Sequence, residues 1–196
     1  MENRTGIRTY KIAMAGLMAA LCYVGYAFLP ALSADGTKIH FGNAFVVLGA
    51  YLLGGTYGGL AGAVGLTAAD LVGGYASSAP RTFITKLLIG LITGFVAHKL
   101  GHLSEQTEHK RVVLWTALSA AAGLGFNCVF EPVLKYFWYT ILIPNSDKAA
   151  SAIKAMVALT SYTTLLNAAT NTIAAVILYS ALRPALKRAG MLFSVK

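Results

Sequence analysis

Long apolar stretches alternate with short polar segments along the entire chain. A stretch of about 20 apolar residues is long enough for a helix to cross the hydrocarbon core of a bilayer. The pattern therefore predicts an all-α membrane protein with six transmembrane helices in one compact bundle. We place these spans at residues 11–30, 41–53, 57–75, 82–100, 112–143 and 149–182.

The predicted spans differ in length, since the second is short and the last two are long. A span longer than the bilayer is thick must tilt, kink or extend beyond the hydrocarbon. Pro132 lies within the fifth span, where the missing N–H group of proline favours a kink.

Composition supports a membrane location, because 57% of the residues are hydrophobic, 12% are charged and the mean hydropathy is +0.64. The 196 residues hold six spans with short connections and leave no room for a separate soluble domain. Residues 1–196 are therefore expected to form one membrane-embedded domain that binds a substrate.

The net charge of +9 indicates orientation rather than nucleic-acid binding, because most basic residues flank apolar spans. If the N-terminus is inside, these residues gather before span one, after span four and after span six. This positive-inside bias predicts that both termini are cytoplasmic. The inner basic residues are Arg4, Arg8, Lys11, Lys99, Lys110, Arg111, Arg183, Lys187, Arg188 and Lys196.

Small residues recur at four-residue spacing in several spans, and such stripes let helix backbones approach closely. We expect most of these stripes to pack helices within this chain. Ala15 and Ala19 in the first span have the same spacing, and there both internal packing and docking of another membrane subunit remain open. The other stripes are Gly54, Gly58 and Gly62, Gly55 and Gly59, Gly90 and Gly94, and Ala117, Ala121 and Gly125.

A set of polar and charged residues interrupts the later spans. Each is costly in hydrocarbon unless it faces a partner, a cavity or a ligand. The predicted topology gathers them toward the outer side, so we expect a binding cavity that opens outward, with Tyr75 and Tyr162 available as walls. The set is Asp70, Lys86, Asn127, Glu131, Lys135, Asn167 and Asn171.

Structural alternatives exist for these residues. Asp70 and Lys86 could neutralise each other between spans three and four. Glu131 and Lys135 could pair along one helix, although an exposed i,i+4 pair contributes only about 0.2–0.5 kcal/mol. The three asparagines could form hydrogen bonds between helices without contacting a ligand.

No motif for catalysis or nucleotide hydrolysis occurs in the sequence, which lacks G-x-x-x-x-G-K-[ST], H-E-x-x-H and G-x-S-x-G. Cys22 and Cys128 lie in apolar stretches and have no metal spacing. His98, His102 and His109 give only a weak metal signal in a charged loop. We therefore expect no enzyme activity, no metal and no cofactor, so any ATP-driven step requires partner subunits.

Three segments stand out within residues 38–94, and they read K-I-H-F-G-N-A-F-V-V-L-G-A-Y-L-L-G-G, G-A-V-G-L-T-A-A-D-L-V-G-G-Y and A-P-R-T-F-I-T-K-L-L-I-G. Together they resemble the substrate-binding S components of energy-coupling factor (ECF) transporters, most closely the vitamin-precursor branch. The chain length and the six-span layout extend the resemblance over most of the sequence. Asn43 stands where an acidic residue is expected, and Gly54 and Gly55 stand where Gly-Pro is commoner.

The resemblance implies a receptor in a bacterial cell membrane that captures a vitamin or vitamin precursor from outside. Such a receptor docks on a module of one membrane scaffold subunit and two ATPases, and topples in the membrane to deliver its cargo inward. The small-residue motif that faces the scaffold maps onto Ala15 and Ala19. His40 and Asn43, in the first segment, join the predicted ligand contacts.

The polar set favours a small heteroaromatic substrate such as hydroxymethylpyrimidine or pyridoxine. Glu131 can accept hydrogen bonds from its substituents, amides suit its edge, and tyrosines can stack on its face. Lys86 and Lys135 leave pantothenate open, and riboflavin, thiamine and folate are further substrates in the family. A stand-alone proton-coupled carrier is the main alternative function, followed by a membrane-embedded enzyme or an accessory subunit.

Overall fold

The computed structural model describes residues 2–29, 32, 36–142, 150–190 and 192. These residues form six α-helices and no β-strand. Two π-helical segments, Phe95–Leu100 and Trp138–Leu142, extend the fourth and fifth helices. The helices are α1 (Glu2–Ala27), α2 (Gly42–Leu53), α3 (Gly55–Val72), α4 (Ala79–Gly94), α5 (His109–Phe137) and α6 (Ala150–Arg188).

The predicted all-helical architecture is confirmed for the described residues, and each predicted span corresponds to one helix. The predicted limits at 30, 143 and 149 fall outside the described residues. Helix α2 is apolar but short, so the count of six membrane spans stays a prediction. The cytoplasmic location of both termini also stays a prediction. Within the described part of the chain, four helical segments are long and apolar enough to cross a membrane: Arg8–Ala27, Ala79–Leu100, His109–Leu142 and Ala150–Arg188.

Pro132 lies inside α5 without ending it, since the helix continues to Phe137 before its π-helical extension begins. In that extension the indole N–H of Trp138 donates to the carbonyl oxygen of Ser77 at 2.9 Å. This hydrogen bond ties the end of α5 to the connection between α3 and α4. The connection in turn leads directly into the polar end of α4.

Glycine allows α2, α3 and α4 to pack with their backbones almost in contact. A Cβ atom on Gly58 would lie 2.2 Å from the backbone nitrogen of Ala50 in α2. A Cβ atom on Gly90 in α4 would lie 2.2 Å from the Cα atom of Gly59. These crossings leave no room for a side chain, which confirms that these stripes pack helices within the chain.

The small-residue stripe on α5 is different. A Cβ atom on Gly125 would meet nothing within 4 Å, and Ala121 is exposed. The prediction of close helix packing is therefore wrong for these two residues within the described part of the chain. The reason is the rotation of α5, which packs against α4 through Gly123, where a Cβ atom would lie 2.1 Å from Oγ1 of Thr93.

Helix α1 packs along α3 through the alanine motif. A Cβ atom on Gly65 would lie 2.2 Å from the carbonyl oxygen of Ala19, so the two backbones are in contact. Ala15 and Ala19 are both partly buried against the apolar core. Internal packing is therefore present at this motif, on the α3 side of the helix.

Replacing Gly58 by Ala should destabilise the protein, because the added methyl group would push α2 away from α3. Overpacking of this kind costs about 1–3 kcal/mol. Gly125→Ala is the matched control, since its methyl group meets open space and alanine in a helix interior is favoured over glycine by about 0.5–1 kcal/mol. Unfolding in mixed micelles with increasing SDS should begin earlier for Gly58→Ala alone. Identical unfolding midpoints for the two variants would contradict the close contact of α2 with α3.

Candidate binding site

A polar cavity lies between the helices, where side chains from α1, α3, α4, α5 and α6 meet residues 36–43. Its volume is about 40 Å³. Since a water molecule needs about 10–15 Å³ by this measure, the space holds about three waters. Its lining residues are Tyr26, Gly36, Thr37, Lys38, His40, Asn43, Asp70, Ser78, Arg81, Thr82, Lys86, Glu131, Thr163, Thr164 and Asn167.

An ion pair joins α4 to α5 in the cavity wall. The ammonium nitrogen of Lys86 lies 3.5 Å from Oε2 of Glu131, and the two side chains are 4% and 19% exposed. Asn127, one turn earlier on α5, donates from Nδ2 to the same oxygen at 2.7 Å. The alternative pair between Lys86 and Asp70 is therefore not formed, because the partner of Lys86 is on α5.

Asp70 is buried at the end of α3 and accepts hydrogen bonds from hydroxyl groups. Thr82 Oγ1 lies 2.5 Å from Oδ2, and the hydroxyl oxygen of Tyr26 lies 2.6 Å from Oδ1. The Tyr26 hydroxyl also lies 3.0 Å from the carbonyl oxygen of Gly36. Asp70 thus links α3 to α1 and α4, and through Tyr26 it reaches the segment before α2.

Lys135 lies one turn beyond Glu131 on α5 and is 1% exposed. Its ammonium group donates to the hydroxyl of Thr37 at 2.7 Å and to the hydroxyl of Thr160 on α6. The ion-pair partner of Glu131 in the described residues is Lys86, so the predicted i,i+4 pair is not formed. Lys135 instead holds Thr37, a lining residue, against α6.

Two asparagines of α6 hold the segment that leads into α2. Asn167 accepts from the backbone N–H of His40 at 2.9 Å and donates to the carbonyl oxygen of Lys38 at 3.0 Å. Asn171 accepts from the backbone N–H of Ala44 and donates to the carbonyl oxygen of His40, both at 2.8 Å. We call these contacts the asparagine clamp. Both asparagines thus make the structural hydrogen bonds that the alternative reading expected, mainly to the segment before α2, and Asn167 also lines the cavity.

Two aromatic rings lie beside the cavity and contact Lys38. Its ammonium nitrogen is 4.2 Å from the ring centre of Tyr26 and 5.8 Å from that of Tyr75. Tyr75 is therefore close to the cavity without lining it. The structure does not bring Tyr162 to the site, because this residue is 61% exposed and is absent from the lining.

Asn43 lines the cavity and is 2% exposed. Its Oδ1 atom has no hydrogen-bond partner among the described residues. Buried polar side-chain atoms nearly always have a partner, so this oxygen is an acceptor that a ligand donor can satisfy. The predicted residues that line the cavity are His40, Asn43, Asp70, Lys86, Glu131 and Asn167.

Several lining residues were not predicted. Lys38 and Arg81 lie near the ends of predicted spans, where basic residues commonly set the orientation of the protein in the membrane. No local sequence pattern distinguishes a cation with that role from one that lines a cavity. The threonines of α6 carried a usable signal, because Thr160, Thr164 and Asn167 are spaced so that they share one helix face. Threonine is tolerated in apolar helices, and its hydroxyl alone does not reveal a cavity.

The histidines near the predicted cytoplasmic rim do not gather around a common point in the described structure. His98 is buried with Nε2 at 3.0 Å from the carbonyl oxygen of Ala50, whereas His102 and His109 are exposed. Within the described ranges, no group of three or more His, Cys, Asp or Glu side chains could hold a metal ion.

An apolar helical bundle around a buried polar cavity is the architecture of a membrane protein that binds a polar solute. A family model described as ECF-type riboflavin transporter, S component, matches residues 6–184. The chain therefore belongs to this family, and the resemblance found within residues 38–94 is confirmed. Searches of curated proteins and of solved structures find no match. As an S component, the protein is the substrate-binding membrane component of a vitamin-type transporter, and this is not a class of enzymes.

Replacing Asn171 by Ala should destabilise the protein because the carbonyl oxygen of His40 loses its donor, and the N–H of Ala44 keeps only the carbonyl oxygen of Phe41 at 3.0 Å. Each buried group left unsatisfied costs about 1–3 kcal/mol. Ser161→Ala is the control, since its exposed hydroxyl bonds only within α6, to the carbonyl oxygen of Val157. In SDS unfolding, Asn171→Ala should lower the midpoint and Ser161→Ala should not. A wild-type midpoint for Asn171→Ala would show that the clamp does not hold the segment.

Proposed function

We propose that this protein binds riboflavin from outside the cell and delivers it inward with an ATP-driven ECF module. The single observation that supports this best is the polar cavity lined by residues of all six described helices, in a chain of the riboflavin S-component family. This family favours riboflavin over the smaller heteroaromatics that the residues alone suggest. In the proposed topology both termini are cytoplasmic and the cavity faces outward.

The chemistry of riboflavin matches the groups around the cavity. Its flat ring system has apolar faces and an edge of carbonyl and N–H groups, and its side chain carries several hydroxyls. Asn43 offers a buried acceptor for an N–H group, and the rings of Tyr26 and Tyr75 offer faces for stacking. The hydroxyls of Thr163 and Thr164 suit the hydroxylated side chain.

The cavity must enlarge to admit such a ligand, because about 40 Å³ is far smaller than a three-ring molecule. The asparagine clamp fixes the backbone from Lys38 onward to α6. Before that point, Gly36 and Thr37 are held by the hydroxyl of Tyr26 and the ammonium group of Lys135. We therefore propose that entry displaces residues 36 and 37 and moves the Lys38 side chain off Tyr26.

Purified protein should bind one riboflavin, and Asn43→Leu, Glu131→Gln and Asn127→Ala should each weaken binding. Each variant should lose about 1–3 kcal/mol of binding free energy, because it removes a hydrogen bond to the ligand or a side chain that positions such a bond. Asn43→Leu is the sharpest variant, because no hydrogen bond of Asn43 Oδ1 within the described protein is lost. The measurement is quenching of flavin fluorescence, confirmed by calorimetry.

Tyr162→Phe is the control for binding and should leave the affinity unchanged, because Tyr162 is exposed and outside the cavity lining. Unchanged affinity in all three cavity variants would place the riboflavin site elsewhere. Binding of pyridoxine or hydroxymethylpyrimidine in place of riboflavin would restore the smaller ligand class.

The proposed partners are one membrane scaffold subunit and two ATPases, because the sequence carries no phosphate-binding loop. An apolar groove of about 250 Å³ runs between α1 and α3 beside the alanine motif. It remains open even though α1 already packs on α3, so it can receive a helix of the scaffold. Its lining residues are Ile12, Ala15, Gly16, Ala19, Tyr57, Leu60, Ala61 and Val64.

Ala15→Trp should abolish uptake in vesicles that contain the ECF module and ATP, while riboflavin binding by the isolated protein is retained. The indole would fill the groove and exclude the scaffold helix. Val129→Trp is the control, because Val129 is 69% exposed on α5, and it should support wild-type uptake. Uptake by the protein alone, driven by a proton gradient without nucleotide, would instead support the proton-coupled carrier, with Asp70 or Glu131 as the proton site.

A further inference from the structure

A further cleft lies between the start of α5 and the end of α6, and it shares no lining residue with the polar cavity. Its volume is about 170 Å³. We call this site the basic cleft. Its lining residues are His109, Val112, Ser180, Arg183, Pro184 and Lys187.

The basic cleft carries positive charge without a carboxylate in its lining. Arg183 and Lys187 contribute one positive charge each. The nearby carboxylate of Glu108 is engaged elsewhere, since its Oε2 lies 3.3 Å from Nε of Arg111. Among the described lining residues, an anion would therefore meet the two cations, the imidazole of His109 and the hydroxyl of Ser180 beside the apolar Val112 and Pro184, and no carboxylate.

Arg183 is held in position by the loop between α4 and α5. Its Nη2 atom donates to the carbonyl oxygens of Gln106 and of Leu103, the latter at 3.5 Å. The side chain of Gln106 in turn donates to the carbonyl oxygen of Gly101 at 2.8 Å. A guanidinium fixed in this way loses little side-chain entropy when an anion binds to its remaining nitrogens.

Basic residues near the C-terminus of a helix are also favoured by the helix dipole, and Lys187 and Arg188 both satisfy that preference. The dipole does not explain Arg183, which lies more than a turn earlier and is anchored to another part of the chain. Arg183 and Lys187 line the same cleft because they are one helical turn apart, and Arg188 is not in its lining. Two buried donors of the lining, Oγ of Ser180 and Nε of Arg183, have no hydrogen-bond partner among the described residues, which favours an anionic ligand here.

The basic cleft lies where two candidate membrane spans, His109–Leu142 and Ala150–Arg188, both end. Both helices carry exposed apolar side chains within these spans, among them Leu114, 52% exposed on α5, and Leu182, 40% exposed on α6. A ligand with a phosphate in the cleft and an acyl chain in the surrounding hydrocarbon fits this location. Basic pockets between transmembrane helices bind anionic lipid headgroups in this manner.

We propose that the basic cleft binds the phosphate group of an anionic phospholipid. This inference rests on the membrane location of the bundle and not on the identity of the transported substrate. Phosphate recognition alone would also be provided by free inorganic phosphate, and the two sources differ in whether the acyl chain contributes to binding.

Native mass spectrometry of the full-length protein in detergent tests the proposal. The probes are phosphatidylglycerol, phosphatidylcholine and inorganic phosphate, each added separately. Wild-type protein should retain phosphatidylglycerol at least about fivefold more than phosphatidylcholine. Lys187→Gln should reduce that retention about fivefold, and Arg188→Gln is the matched control that should keep it, because Arg188 lies outside the cleft.

Arg183→Gln is a second variant that also frees the loop, so Lys187→Gln decides the result. Equal losses for Lys187→Gln and Arg188→Gln would overturn the proposal, because they would show attraction by the overall charge of the helix end. Equal retention of the two lipids by wild-type protein would also overturn it. Binding of inorganic phosphate without any preference for phosphatidylglycerol would replace the lipid by free phosphate and reject the lipid assignment.

Discussion

Hydrocarbon offers no hydrogen-bond partners, and this constraint sets the arrangement of the helices. Lys86 can be buried only because Glu131 faces it from α5, and Asp70 only because hydroxyls from α1 and α4 reach it. Each contact joins two different helices, and the contact between Tyr26 and Asp70 spans 44 positions of the sequence. The polar residues that make the chain unusual as a membrane sequence are thus the residues that fix which helices are neighbours. The cavity is the place where these contacts meet, and it is polar for the same reason.

Different parts of the bundle are held together by different kinds of contact. Helices α2, α3 and α4 meet through glycine with backbones in contact, which leaves little freedom for relative movement. Residues 36 and 37, which precede the asparagine clamp, are instead held by individual hydrogen bonds, among them those from Tyr26 to Gly36 and from Lys135 to Thr37. A ligand can replace hydrogen bonds one by one, whereas it cannot separate packed backbones. Access to the cavity is therefore expected through this segment, with the glycine-packed helices as a fixed support.

The sequence revealed the helices and most of the polar residues because both signals are local: apolar length, and a charge where hydrocarbon is expected. It did not reveal the partners. Asp70 and Lys86 lie on adjacent spans and look like a pair, yet the rotation of α4 about its axis turns Lys86 toward Glu131. Helix rotation is also the reason why the prediction for Gly125 was wrong. Its spacing matches a packing stripe, but α5 places Gly123 against α4 instead. Helix rotation is set by the sum of many contacts, and no short motif encodes it. For the same reason, the sequence did not show that Asn167 both holds the segment before α2 and lines the cavity.

The closed cavity also determines how affinity can arise. Most groups around it already have partners, so a ligand that enters exchanges one set of hydrogen bonds for another and gains little from each exchange. Displacing residues 36 and 37 and the Lys38 side chain also costs energy. The apparent affinity is therefore reduced in proportion to the fraction of molecules that are open. Asn43 is the exception among the described lining residues that were predicted, because its buried Oδ1 has no partner to give up. A donor placed against this oxygen gains a full hydrogen bond and removes an existing penalty. Selection among flat heteroaromatic molecules should therefore depend on whether their edge presents an N–H group at this point.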